Sequence, residues 1–351
     1  MRQILLAIAF ALTCTAVSAQ TAYISNDGSN TVSVLNTATN TVTTTVTVGT
    51  NPFGVSVSPS GSKVYVTNSG SNTVSVINTA TNTVTDTVTV GSNPNGISVS
   101  SDGSKVYVAN TNSNTVSVIN TTTNTITTTV AVGTTPFGVS VSPDGSKVYV
   151  ANSASNTVSV INTATNTVTD TVAVGSAPRG VSVSPDGSKV YVVNILSNTV
   201  SVINTVTNTV TTTVAVGSSP RGLSVRPDGS KVYVANIGSN TVSVINTATN
   251  TVTTTVPVGN SPYGVSVSPD GSKVYVANRG SNTVSVINTA TNTVTDTVAV
   301  GTTPYAFGNF IGPAPASVPV PTLSQWALIA LGLLLAGLAV TQLGRGRSIE
   351  T

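Results

Sequence analysis

The chain has no histidine, and its one cysteine, one tryptophan and one glutamate (Cys14, Trp326 and Glu350) lie near its two ends. Residues 1–19 read as an export signal. Arg2 supplies the positive start, residues 5–12 a short apolar run, and Val17-Ser18-Ala19 a small-x-small cleavage site. Ala11-Leu12-Thr13 ahead of Cys14 is a poor match to a lipid-attachment pattern, so Cys14 is read as part of the signal and the mature chain as starting at Gln20. The body that remains has no disulfide, no thiolate nucleophile and no cysteine ligand. Without His, Cys or Glu it lacks the ordinary acid–base pairs and the nucleophilic triads, so the expected protein is not an enzyme. Haem and zinc sites need the same missing side chains, and no cofactor or metal is expected. Charge is also scarce. In the body ten Lys and Arg face nine Asp, too even a balance for binding nucleic acid.

What is present is Val, Thr, Ser, Asn and Gly in a strict repeat. Tyr23, Tyr65, Tyr107, Tyr149, Tyr191, Tyr233 and Tyr275 each follow the last by 42 residues, and Pro52, Pro94, Pro136, Pro178, Pro220, Pro262 and Pro304 keep the same step. One unit divides into four short strands, at 54–58, 63–68, 73–78 and 83–90, each with the period-two alternation of β structure. The Asp-Gly pairs at 144–145 and 186–187 predict a tight hairpin between the first two. Four antiparallel strands every 40 or so residues is the pattern of a propeller blade. The phase supports closure. The chain enters at Tyr23 on a second strand with no first strand before it, and leaves through 304–311, a first strand with no blade after it. A β-solenoid has no use for such a split unit. The predicted fold is therefore all-β: a seven-bladed propeller over residues 20–311, closed by the C-terminal strand pairing inside blade one.

Tyr65-Val66-Thr67-Asn68, with Ser58-Pro59-Ser60-Gly61-Ser62-Lys63 leading into it, resembles the YVTN family of β-propeller repeats. Later copies read Tyr-Val-Ala-Asn, and one reads Tyr191-Val192-Val193-Asn194. The resemblance covers residues 23–300 and implies a secreted or surface-layer propeller, fixing the fold better than the job.

Residues 312–319 form a Pro- and Ala-rich linker, and residues 326–340 an unbroken apolar or glycine run, extended weakly to 343. This is near the shortest length that spans a bilayer, and Arg345 and Arg347 behind it would keep the tail cytoplasmic and the body outside. Val320-Pro321-Thr322-Leu323, followed by that run and the arginines, resembles the IPTL-type C-terminal sorting signal of Gram-negative bacteria, with Val320 where the family usually has Ile. The resemblance implies an exosortase-type transpeptidase as partner. The body would be held by the membrane helix at 326–343 until it is transferred to the cell surface. Permanent anchoring by that helix is the alternative.

Candidate binding residues come from comparing the repeats. The turns joining strands one to two and three to four barely change, whereas the loops after the motif Asn and around the repeat Pro vary, and in a propeller those two loop sets share one face. The residue after each Pro is Phe53, Asn95, Phe137, Arg179, Arg221, Tyr263 or Tyr305, and the other variable loop adds Ile195, Leu196, Ile237 and Arg279. Aromatics with an arginine flank suit an anionic sugar, a peptide carboxylate or a surface glycan. Alternatively, the rings only cover the channel mouth. Two functions are thus expected to compete, a surface binding or adhesion module and a passive structural surface protein. The Asp-Gly turns offer one carboxylate each, too few for calcium. Asp86, Asp170 and Asp296 read as charges guarding an outer strand.

Overall fold

The computed structural model describes residues 20–313. The signal at 1–19, most of the linker, the sorting motif at 320–323 and the apolar helix at 326–343 lie outside the described residues. No described helix is long and apolar enough to cross a membrane.

The repeat folds as seven four-stranded antiparallel sheets. Blade 2 shows the plan, with Pro52–Val57, Lys63–Asn68, Thr73–Asn78 and Thr83–Thr89 paired in sequence order. Blade 1 starts at Thr21, and blades 3 to 7 start at Pro94, Pro136, Pro178, Pro220 and Pro262. Alternating Val and Thr or Ser suits a pleated strand with one face packed. The inner strand begins at the repeat Pro, earlier than the sequence placed it, because a first position with no ladder bond to donate tolerates proline. The hairpin after it is wider than an Asp-Gly pair alone would make. Gly145 is left-handed (φ +72°) but Asp144 is not, and Ser142 N–H closes the loop on the Lys147 carbonyl at 2.9 Å. The Asp144 carboxylate accepts the Ser142 hydroxyl and, at 3.0 Å, the Ser146 N–H, which fixes the loop from inside.

Blades join through the tyrosines. Tyr107 packs with Val139, Val148, Val150 and Ile161 of the next blade, and burial pushes its hydroxyl up to about 12, so the ladder stays protonated and neutral. The motif Asn works within its own blade: Asn68 donates to Ser75 Oγ at 2.9 Å and Thr73 Oγ1 at 3.0 Å. Lysines bolt the unvarying face. Lys63 Nζ donates to the Thr121 carbonyl of the following blade at 2.8 Å, and Lys105, Lys147, Lys189, Lys231 and Lys273 do the same around the ring. Blade 1 has Thr21 at this position, so among the described residues the junction of blades 1 and 2 has no such bolt.

Closure takes the expected place and an unexpected path. Ile311–Gly312 is the innermost strand of blade 1, facing Ala22 and Thr21, and Pro304 bridges to Asn26 at the other end. Between them the chain leaves blade 1. Phe307 runs parallel to Gly54, and the carbonyls of Phe307 and Asn309 accept N–H from Val55 (2.9 Å) and Val57 (3.1 Å) of blade 2. The cause is length. Pro304 and Ile311 flank two more residues than Pro262 and Val267, which face the matching positions in blade 7, and the surplus arches toward the axis. Gly308, at φ +116°, makes the arch possible, since an L side chain there is strained. One segment therefore closes blade 1 and ties it to blade 2.

Candidate recognition face

The arch changes what the repeat-Pro residues can do. Because each follows the same proline, Phe53, Phe137 and Tyr263 all reach the axis, where Phe307 joins them in one cluster with Tyr305 and Ile237 at its edge. Phe53 lies 4.5 Å from Tyr305, 5.4 Å from Phe137, 5.5 Å from Tyr263 and 5.8 Å from Phe307, ring centre to ring centre. Most pairs meet edge to face, the arrangement that ring quadrupoles favour. Phe53, Phe137, Tyr263 and Phe307 are only 5–6 % exposed, so they form a plug across the channel mouth more than an open ring. Asn95 is buried too, its amide turned onto Thr111 Oγ1 of its own blade.

The arginines sit on this floor. Arg179 lies 4.0 Å over the Phe137 ring, Arg221 5.6 Å over Tyr263 and Arg279 5.3 Å over Tyr305, placing three guanidiniums on blades 5, 6 and 7. Arg179 and Arg221 are half-buried and Arg279 exposed. Burial holds the Arg179 guanidinium below its usual pKa, and the nearby charge of Arg221 adds to the effect. The Nε atoms of Arg179 and Arg221 are buried with no hydrogen-bond partner among the described residues. The ion pair among those residues lies elsewhere, between Arg226 and Asp228 on the opposite face. Asp27, on the turn Asp27–Ser29 of blade 1, is the carboxylate near this sector. Burial raises its pKa, against the opposing pull of the Asn51 side chain and Arg279. Leu196 projects beside the sector, 75 % exposed, while Ile195 below it is buried.

A second concave surface was not foreseen. Below the plug the channel opens on the unvarying face as a cavity of 480 Å³, lined by Ser56, Ser98, Ser140, Ser182, Ser224 and Asn309, with aliphatic side chains between them. Four of these serines accept a backbone N–H from the next blade, as Ser56 Oγ does from Val99 at 3.2 Å. The Val-Ser alternation of the inner strands was the available signal. It reads as ordinary strand pattern until the blades are arranged around an axis.

Known proteins agree with this geometry. Residues 163–307 match the family described as lactonase, 7-bladed beta-propeller, and residues 56–147 and 89–187 match the YNCE-like beta-propeller family. Residues 318–345 match the IPTL-CTERM motif, the signal that the tail resembles. The chain is a seven-bladed β-propeller with an IPTL-CTERM tail. Such a tail goes with processing by an exosortase-type enzyme and attachment at the cell surface. Among solved structures the propeller is similar to Kuenenia stuttgartiensis hydrazine synthase, at 25 % identity and a TM-score of 0.72 over 81 % of this chain and 99 % of that one. It is also similar in fold to a functionally unknown protein from Desulfotomaculum acetoxidans, at 18 % identity and a TM-score of 0.71 over 82 % and 99 % of the two chains. No curated protein matches the propeller in sequence.

Proposed function

We propose that this propeller is a non-catalytic recognition module, attached at the cell surface, that binds an anionic ligand on its variable face. The observation that carries the reading is the pair Arg179 and Arg221, half-buried, stacked on rings and without a carboxylate partner among the described residues. Unpaired guanidiniums at a protein surface suit carboxylate or other oxyanion ligands. The titratable groups around them are arginines, tyrosines with raised pKa and Asp27, a poor set for moving protons near neutral pH. The path of the chain agrees. A Cβ at Gly61, in a turn of the unvarying face, would lie 3.3 Å from Pro313, so the described chain leaves from the side opposite the arginines. Before attachment, the apolar segment at 326–343 would hold the protein in the inner membrane until a transpeptidase acts near Pro321-Thr322-Leu323.

The burial of the aromatic plug favours a second reading, a structural surface protein in which the rings only seal the channel. Probing a glycan and peptide array with the full chain in detergent separates the two. The recognition reading expects acidic spots to be retained and lost in a double Arg179→Ser, Arg221→Ser variant. An empty array, or retention unaffected by the double change, would leave the structural reading standing.

A further inference from the structure

The three arginines are not equivalent, and their difference narrows the ligand. Arg179 and Arg221 follow the repeat prolines of neighbouring blades, and those blades approach so closely that a Cβ at Gly180 would run into the Arg221 carbonyl. Both guanidiniums are pinned over rings, Arg179 over Phe137 and Arg221 over Tyr263, both Nε–H groups are unpaired among the described residues, and the Tyr263 hydroxyl end is the group that both arginines influence. Two half-buried like charges on neighbouring blades, neither with a carboxylate partner among the described residues, are stabilised by an anion that reaches both. Arg279 differs. It comes from the other variable loop, stacks on Tyr305 and has Asp27 as a nearby counter-charge. The loops beside the pair carry Ser218, Ser219, Ser239, Asn260 and Ser261, all exposed or half-exposed. They supply small neutral hydrogen-bonding groups, with the exposed Leu196 as the one apolar side chain projecting beside them, a lining richer in partners for hydroxyls than for a peptide's apolar side chains.

We infer that Arg179 and Arg221 together hold one oxyanion group of an acidic saccharide, and that Arg279, exposed on the other variable loop, stands outside this subsite. The inference rests on the recognition reading above and divides that face into an anion subsite and a neutral flank. The guanidinium forks would meet the two oxygens of a uronate carboxylate, and the serine and asparagine loops the neighbouring sugar hydroxyls.

The test is calorimetric titration of the full chain in detergent with a uronic-acid oligosaccharide, its carboxyl-reduced neutral counterpart and a set of peptides with free C-terminal carboxylates. Wild type, Arg179→Ser, Arg221→Ser, the double variant and Arg279→Ser are compared, with a melting curve for each to establish folding. The acidic oligosaccharide should bind and the neutral one should not. Each single change at 179 or 221 should weaken binding about tenfold or more, with the double variant losing less than the product of the two because both serve one group. Arg279→Ser should stay within about threefold, as expected for a charge at the rim of the site. Equal losses at all three arginines, or tighter binding of the peptides, would overturn the inference and leave the recognition reading intact, whereas equal affinity for the neutral sugar would overturn both. Binding that no arginine change alters, or no binding to any probe, would overturn the recognition reading itself.

Discussion

Replacing Phe53 with Ala separates a channel plug from a ligand platform, because Phe53 touches the other four rings of the cluster. The side chain is 6 % exposed and the rings around it belong to blades 4 and 7 and to the closing segment, so little can collapse into the space left behind. Truncating a buried Phe costs about 3–5 kcal/mol, and this site has the ring pairs that belong to the upper part of that range. In a domain of this size each kcal/mol moves the melting temperature by about 2 °C, so a fall of roughly 8–10 °C is expected. Differential scanning calorimetry of wild type and Phe53→Ala, with Phe137→Ala as a second member of the cluster, measures it. An unchanged melting temperature together with a lost ligand would refute the packing argument and make the rings a binding surface.

The inter-blade bolts predict that Lys147→Met and Lys189→Met each lower stability, by about 1 kcal/mol, since each removes a hydrogen bond to the next blade's Thr205 or Thr247 carbonyl; urea midpoints would show it. The turn carboxylates predict acid sensitivity. Hydrogen bonds from Ser100 and Ser184, then from the neighbouring Ser104 and Ser188 groups, hold Asp102 and Asp186 at about 2, so their contribution is present above pH 4 or so and is lost as pH falls through about 2. Asn replacements at 102 and 186 should flatten stability against pH across that window in acid titrations followed by circular dichroism. In the native host, mass spectrometry of the mature protein should show residues 326–351 removed, and Pro321→Ala should leave them in place; an intact Arg345-Gly346-Arg347 end on the wild type would mean a permanent anchor instead.

Much of the fold was legible because the repeat is strict. A tyrosine every 42 residues can be buried seven times over only if every unit meets the next in the same way. The split first and last units located the closing segment, but not its route. The two surplus residues that carry Phe307 into the channel look like a slightly long strand until Ile311 is paired with Ala22. The lysine bolts were not legible, because their partners lie 58 residues away in another blade. Asp86 shows the same limit: read as a solvated guard, it accepts from Asn124 of the next blade at 2.9 Å. For the site, variation between repeats picked out Phe53, Phe137, Tyr263 and the arginines, which the fold gathers around one mouth of the channel. It could not tell a ring that faces solvent from one that faces other rings, since that depends on how near the axis the inner strands approach.

Display and recognition meet in a single measurement on whole cells. Cells of the native host carrying wild type, or the double Arg179→Ser, Arg221→Ser variant at equal antibody-measured surface level, are incubated with a fluorescent acidic oligosaccharide. Bound label is then read by flow cytometry. The account predicts label on wild-type cells, removed by salt as expected for a charge-dependent contact, and background on the variant. Equal label on both would contradict it.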